Sequence, residues 1–118
     1  KNMYKEALNY LNKANLDNTI FKIDLRRLTA KIYYETDSTE NLISFLDAFS
    51  HYLKNIRTID RIIINRNKNF IKYLKKLIKF RESKSDSIEL NLLQNAFLKE
   101  NVSETNWLLQ KFSEMNAK

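Results

Sequence analysis

Between Lys54 and Arg81 the chain carries ten lysines or arginines against one acid, Asp60, a local net charge of +9. The whole chain nets +7, so the remainder is slightly acidic. Cationic side chains at helical spacing can grip phosphates, acidic protein segments or an anionic lipid surface. With 3.6 residues per turn, Arg61, Lys68, Lys72, Lys75, Lys76 and Lys79 fall within an arc of about 100°. Ile62, Ile63, Phe70, Tyr73, Leu74, Leu77 and Ile78 take the opposite side. The same lysines serve equally as a solvated face that keeps the chain soluble, the commoner role of charge on an amphipathic helix. Base-specific reading of nucleic acid has less support. Phosphate contacts carry no sequence information, and no exposed aromatic platform interleaves the stripe.

Other reactive side chains are isolated. Arg66 falls on the apolar side of the same segment, where it can pair with Asp47 or Glu35, reach a groove edge, or grip a partner's carboxylate. His51 is the single histidine, and no HExxH spacing exists. A general base needs an orienting partner, and a zinc site needs further ligands. The aspartates are scattered and look like caps and turn residues. No pair forms an acid/base dyad and no DxDxDG loop is present. The six tyrosines and Trp107 recur at packing positions, Trp107 as a closing wedge.

These residues must be positioned by helices. Gly, Pro and Cys are all zero in 118 residues. That excludes glycine-dependent phosphate loops, dinucleotide fingerprints and nucleophile elbows, together with disulfides, thiol catalysis and cysteine-ligated zinc. It also argues against an all-β fold, whose tight turns lean on Gly and Pro. No apolar run approaches the roughly 18 residues of a membrane span, and no signal peptide is visible. No catalytic residue, metal or cofactor is expected, and the chain is read as cytoplasmic and non-enzymatic.

The apolar spacing is helical throughout. It predicts six helices over about 3–15, 19–35, 39–55, 59–81, 87–99 and 103–115. Tyr4, Ala7, Leu8, Leu11 and Ala14 share one face of the first. In the second, Phe21, Leu25, Leu28 and Ile32 form one stripe, flanked by Ile23, Ala30 and Tyr34; a helix apolar on two adjacent faces must touch neighbours on two sides. Leu42, Phe45, Leu46, Phe49, Tyr52, Leu53 and Ile56 line the third. Asp37 before Glu40, and Asp86 before Glu89, look like acidic capping boxes. Trp107, Leu108, Phe112 and Met115 would pack the last helix. The short breaks make consecutive helices antiparallel neighbours within one domain.

The pattern Tyr4-x-x-Ala7-Leu8-x-x-Leu11-x-x-Ala14 resembles the second helix of a tetratricopeptide repeat. A shift of 35 residues carries Ala7, Leu11 and Ala14 onto Leu42, Leu46 and Phe49, against a period of about 34 in that family. The likeness extends over residues 20–55, where Ala30 to Asp37 looks like the end of a first helix and its turn. Beyond that the register fades: Lys84 stands where a core residue is expected, and the usual turn Gly and closing Pro are absent. The tail around Trp107-Leu108-Leu109 is similar to the closing helices of bacterial arrays of this kind. The resemblance implies an all-α, right-handed stack of antiparallel hairpins: repeat-like units over 1–81, a capping helix pair over 82–118, and a place near the C-terminal end of a longer solenoid. It also implies a protein-interaction scaffold whose groove takes an extended acidic peptide on Arg26, Arg27 and Lys31. Nucleic-acid or other polyanion binding on the basic face of residues 59–81 is the alternative.

Overall fold

The computed structural model describes residues 2–83 and 86–117; Lys84 lies outside them, as do the side chains of Tyr4 and Leu8. The described residues form five helices and no strand. They are α1 (Asn2–Glu35), α2 (Thr39–Asn55), α3 (Arg61–Ser83), α4 (Ser87–Leu98) and α5 (Thr105–Asn116). None is long and apolar enough to cross a membrane.

The first two predicted helices are one. The polar run Asn15 to Thr19 reads as a break, yet it holds neither Gly nor Pro. Asn, Asp and Thr each cost a helix interior only about 0.7 kcal/mol or less, too little to end it. The result is a rod of 34 residues, about 51 Å long at 1.5 Å per residue, in a molecule 65 × 29 × 20 Å. α2 is half that length and runs back along the C-terminal half of α1, so the N-terminal half extends past the body. Ala7, Tyr10, Leu11 and Ala14 are exposed there, and partial burial begins at Leu16 and Ile20.

The turn out of α1 replaces glycine with aspartate. Asp37 adopts a left-handed φ of 54°. Ser38 N donates to Tyr33 O at 2.9 Å and Asp37 N to Tyr34 O at 3.2 Å, the paired bonds of a Schellman motif with Asp37 at its left-handed position. Asp and Asn tolerate that region better than most residues. Asp37 therefore closes α1 and is not the acidic cap of α2, whose N-cap is Ser38. The second expected cap is present: Asp86 accepts from Ile88 N at 3.0 Å. Asp60, the lone acid of the basic run, caps α3 in the same way, accepting from Ile62 N at 2.9 Å.

α3 is the central helix and buries Ile64, Phe70, Ile71, Tyr73, Leu74, Leu77 and Ile78. Ile62, expected on its inner side, is exposed, because the buried arc is rotated toward Ile64 and Ile71. α2 covers one side with Leu42, Leu46, Phe49 and Leu53 at alternating four- and three-residue steps. α4 returns antiparallel to α3, and Phe97 meets Tyr73 at 5.3 Å and Phe112 at 5.2 Å between ring centroids. α5 then runs parallel to α3 and seats Trp107 against Tyr34 of α1 (5.5 Å) and Phe70 of α3 (6.3 Å), the wedge role expected of it.

Of the two apolar sides of α1 that the spacing expects to meet neighbours, only one is buried. Ile23, Ala30 and Tyr34 are buried, while Phe21, Leu25, Leu28 and Ile32 are 44–58% exposed. The flanking side meets the core as expected, and the Phe21 stripe, expected to meet a second neighbour, faces solvent.

Candidate docking surfaces

Arg26, Arg27 and Lys31 lie on adjoining turns of α1 and have different surroundings. Arg26 sits 3.7 Å above the Tyr52 ring of α2. Arg27 is the hub of a clamp joining three helices. Its Nε donates to Glu104 Oε2 at 2.9 Å, its Nη1 to Asn67 Oδ1 at 2.8 Å, and its Nη2 to Asp24 Oδ1 at 2.6 Å. Lys31 Nζ donates to the other Glu104 oxygen at 2.8 Å. Asn67 is 1% exposed, and its Nδ2 donates to Ile63 O, so both ends of the amide are satisfied. An acidic guest therefore already occupies Arg27 and Lys31, and it comes from this chain.

The local backbone explains how Glu104 gets there. The loop after α4 is stitched to α3 by Ser103 N donating to Arg66 O at 3.1 Å and Asn69 Nδ2 donating to Asn101 O at 2.9 Å. Glu104 then turns at φ 62° into α5. Burial pushes its carboxyl up, but the bonds from Lys31 and Arg27 outweigh that and hold it below the ordinary carboxylate range.

A second polar cluster closes the far end of α1. It lines a cleft of about 160 Å³. Arg81 stacks 4.0 Å over the Tyr34 ring, donates to Tyr34 O at 3.0 Å and meets Asp37 at 3.3 Å. Lys111, 4% exposed, pairs with Glu35 and with Glu114 at 3.0 Å. Burial pulls the Lys111 ammonium down, and the two glutamates overcome this and raise it above the usual lysine value. These groups satisfy one another across α1, α3 and α5, and tie the bundle shut.

The basic ridge is real but interrupted. Lys72 pairs with Glu100 at 2.9 Å and Lys75 with Asp47 at 2.6 Å. Arg61, Lys68, Lys76 and Lys79 have no ion-pair partner among the described residues, and all but Lys68 are exposed. Arg66 is also exposed, and Asp47 and Glu35, the partners expected for it, pair with Lys75 and Lys111 instead. Beside the ridge, an apolar groove of about 480 Å³ runs between α2 and α3, floored by Ile43 and Ile78 and edged by Lys75 and Lys79. His51 is exposed on α2. Among the described residues no group of three His, Cys, Asp or Glu side chains could hold a metal ion.

Seven of the twelve large apolar side chains exposed among the described residues lie on the outer face of α1. Met3, Tyr10, Leu11, Phe21, Leu25, Leu28 and Ile32 are each 44–80% exposed. Scattered surface leucines are ordinary, but a continuous apolar patch marks an interaction site. The periodicity of these residues is plain in the sequence; only their outward direction is not. Glu104 and Asn67 carried no signal of their role, since neither lies near Arg27 in the chain.

The fold is an all-helical body closed by buried polar clamps, with a long helix presenting an apolar outer face. Comparison with protein-family models, with curated proteins and with solved structures returns no match.

Proposed function

We propose that the chain is a non-enzymatic protein–protein interaction scaffold of the helical-repeat type, docking a partner helix on the outer face of α1. The observation carrying this reading is the exposed stripe Leu11, Phe21, Leu25, Leu28 and Ile32 on a helix whose opposite face is locked into the body. Such a face offers a rigid apolar strip of the kind an amphipathic helix covers. The antiparallel pairing of α1 with α2 and of α2 with α3 supports a repeat-like stack akin to tetratricopeptide arrays. Because Arg27 and Lys31 are engaged by Glu104, the outer face is the more available docking surface. Arg26, with its guanidinium stacked on Tyr52, flanks the inner one.

Polyanion binding is the second reading, and Arg61, Lys76 and Lys79, exposed and without an ion-pair partner among the described residues, favour it. Fluorescence anisotropy separates the two. The probes are a labelled amphipathic helical peptide with leucine at heptad spacing and a mixed-sequence single-stranded DNA. The scaffold reading expects peptide binding that changes little with salt and is lost in the Leu25→Glu/Leu28→Glu variant. Binding of the DNA alone, falling steeply with salt and lost in Lys76→Glu/Lys79→Glu, would overturn it.

A further inference from the structure

The outer face of α1 has a period of its own. From Ala7 to Ile32 its members step by four and three residues in strict alternation. Leu11, Asn18, Leu25 and Ile32 form one row of a heptad, and Ala7, Ala14, Phe21 and Leu28 the other. All eight are exposed. The opposite side of the helix, through Ile23, Ala30 and Tyr34, belongs to the core. A seam that repeats every 3.5 residues over nearly four heptads is built to meet another helix knobs-into-holes.

We propose that this seam pairs with the same seam of a second copy of the chain, parallel and in register. The inference rests on the reading of α1 as the docking face and names its occupant. Three features select that occupant and that direction.

The first is Asn18, the one polar member of the seam. In a parallel, in-register pair it faces its own copy, where each amide can donate and accept. A single asparagine in this row fixes register and two-stranded pairing. An antiparallel pair sets one row against the other, so Asn18 would lie against Ala14 or Phe21 with its amide unsatisfied.

The second is charge. Asp17 and Lys22 flank the seam on opposite sides, both exposed and neither ion-paired among the described residues. In a parallel coil the residue flanking one row meets the residue five positions on in the partner, so Asp17 meets Lys22 of the copy, twice by symmetry. The antiparallel arrangement brings Asp17 toward Asp24.

The third is area. The five large apolar members of the seam, Leu11, Phe21, Leu25, Leu28 and Ile32, together with Met3 and Tyr10 beside it, hold on the order of 700 Å² of accessible surface, close to the ~800 Å² per partner of a standard interface. The core side of α1, through Ile23, Ala30 and Tyr34, lies opposite the seam on the helix.

The test uses sedimentation equilibrium of the 118-residue chain from about 5 to about 500 µM, because a dimer's population depends on concentration. The expected result is reversible conversion from 14.2 kDa to twice that mass. Phe21→Glu/Leu28→Glu should weaken self-association by about 100-fold or more, since each glutamate would be buried without a partner. Its far-UV circular dichroism should match the parent's, because both positions face outward. Direction is read with Leu11→Cys, the sole thiol in a chain that has none. In a parallel pair the two cysteines lie within disulfide reach, whereas in the antiparallel pairings they stand about 15 Å apart or more. Rapid, quantitative disulfide formation supports the proposal. A monomer across the range, a dimer indifferent to the glutamates, or a dimer in which Leu11→Cys stays reduced would each overturn it. A monomer that still captures the heptad peptide overturns self-pairing and leaves the scaffold reading standing; a monomer that captures nothing ends both.

Discussion

Arg27→Ala tests how the bundle is closed. The substitution removes three hydrogen bonds, and two of them end on groups that water reaches poorly. Asn67 is 1% exposed, and stranding its Oδ1 costs about 1–3 kcal/mol. Glu104 keeps Lys31 but loses a charge-assisted bond, a further ~1 kcal/mol. The Arg27 and Glu104 side chains are 16% and 22% exposed, so the full 3–5 kcal/mol of breaking a buried ion pair does not apply. The expected loss is about 2–3 kcal/mol. With an unfolding entropy near 2.1 cal/mol/K per residue, that lowers the melting temperature by roughly 8–12 °C. The assay is urea and thermal unfolding followed at 222 nm, on Arg27→Ala, Glu104→Ala and the double variant. The cycle should show a coupling of about 1–2 kcal/mol, since the two side chains share one network. Arg26→Ala is the control: it removes one stacking contact at the surface and should cost about 1 kcal/mol or less. If Arg27→Ala costs no more than Arg26→Ala, or adds to Glu104→Ala within ~0.3 kcal/mol, the clamp does not hold α5 to α1.

Asp37 and Glu104 both take left-handed backbone angles but should respond oppositely to glycine. Asp37→Gly relieves the steric cost while losing a highly exposed pair with Arg81, and should raise stability by about 0.5 kcal/mol in urea titrations. Glu104→Gly relieves the same cost but abolishes the clamp, and should lower stability by about 1–2 kcal/mol. The Glu104 carboxyl titrates below its ordinary value of 4.5, so its contribution is complete above that pH and is lost as the pH falls through the folded-state value. Acid unfolding of Glu104→Gln should therefore show a shallower fall in stability than the parent as the pH drops below the ordinary carboxylate value. The Tyr73 hydroxyl, raised to about 12 by burial and by its hydrogen bond to Glu100, keeps its proton in the folded state. Its contribution is full below 10 and is lost as the pH rises toward 12; Tyr73→Phe should shrink the late absorbance step at 295 nm, to which Tyr34, also raised by burial, contributes the rest. Phe97→Ala, emptying a site 1% exposed between Tyr73 and Phe112, should cost about 3–5 kcal/mol in the same unfolding assay.

Much of the secondary structure was legible along the chain. The spacing of Leu42, Leu46, Phe49 and Leu53 bounds α2 at Thr39 and Asn55, as observed. The starts of α3 and α4 coincide with Asp60 and Asp86, whose carboxylates accept the first free amides. Local rules fail where two local signals compete. Asn15 to Thr19 look like a loop by type, but without a breaker on either side the helix continues through them. Asp37 looks like a helix start and is a helix stop, because its backbone enters the left-handed region and its amide turns back to α1.

Chemistry that depends on distant residues left no mark. The spacing marks Arg66 as the arginine in need of a carboxylate, yet it is Arg27 that holds one, 77 residues away. The ridge lysines were identifiable by angle. That Lys72 and Lys75 are neutralised and Lys76 and Lys79 are not depends on where Glu100 and Asp47 stand.

Composition and period alone determined that this chain is helical, where most of its helices begin and end, and that it lacks the glycine and cysteine chemistry of many catalytic sites. Only the tertiary structure decided which side of α1 is the inside. Both sides carry aliphatic and aromatic residues at helical spacing, so hydrophobicity does not rank them. The side with Ile23 and Tyr34 also carries Arg27 and Lys31, and turning it inward is what lets these cations satisfy the buried Asn67 amide and the Glu104 carboxylate, partners that lie 40 and 77 residues from Arg27 and that no local pattern reveals.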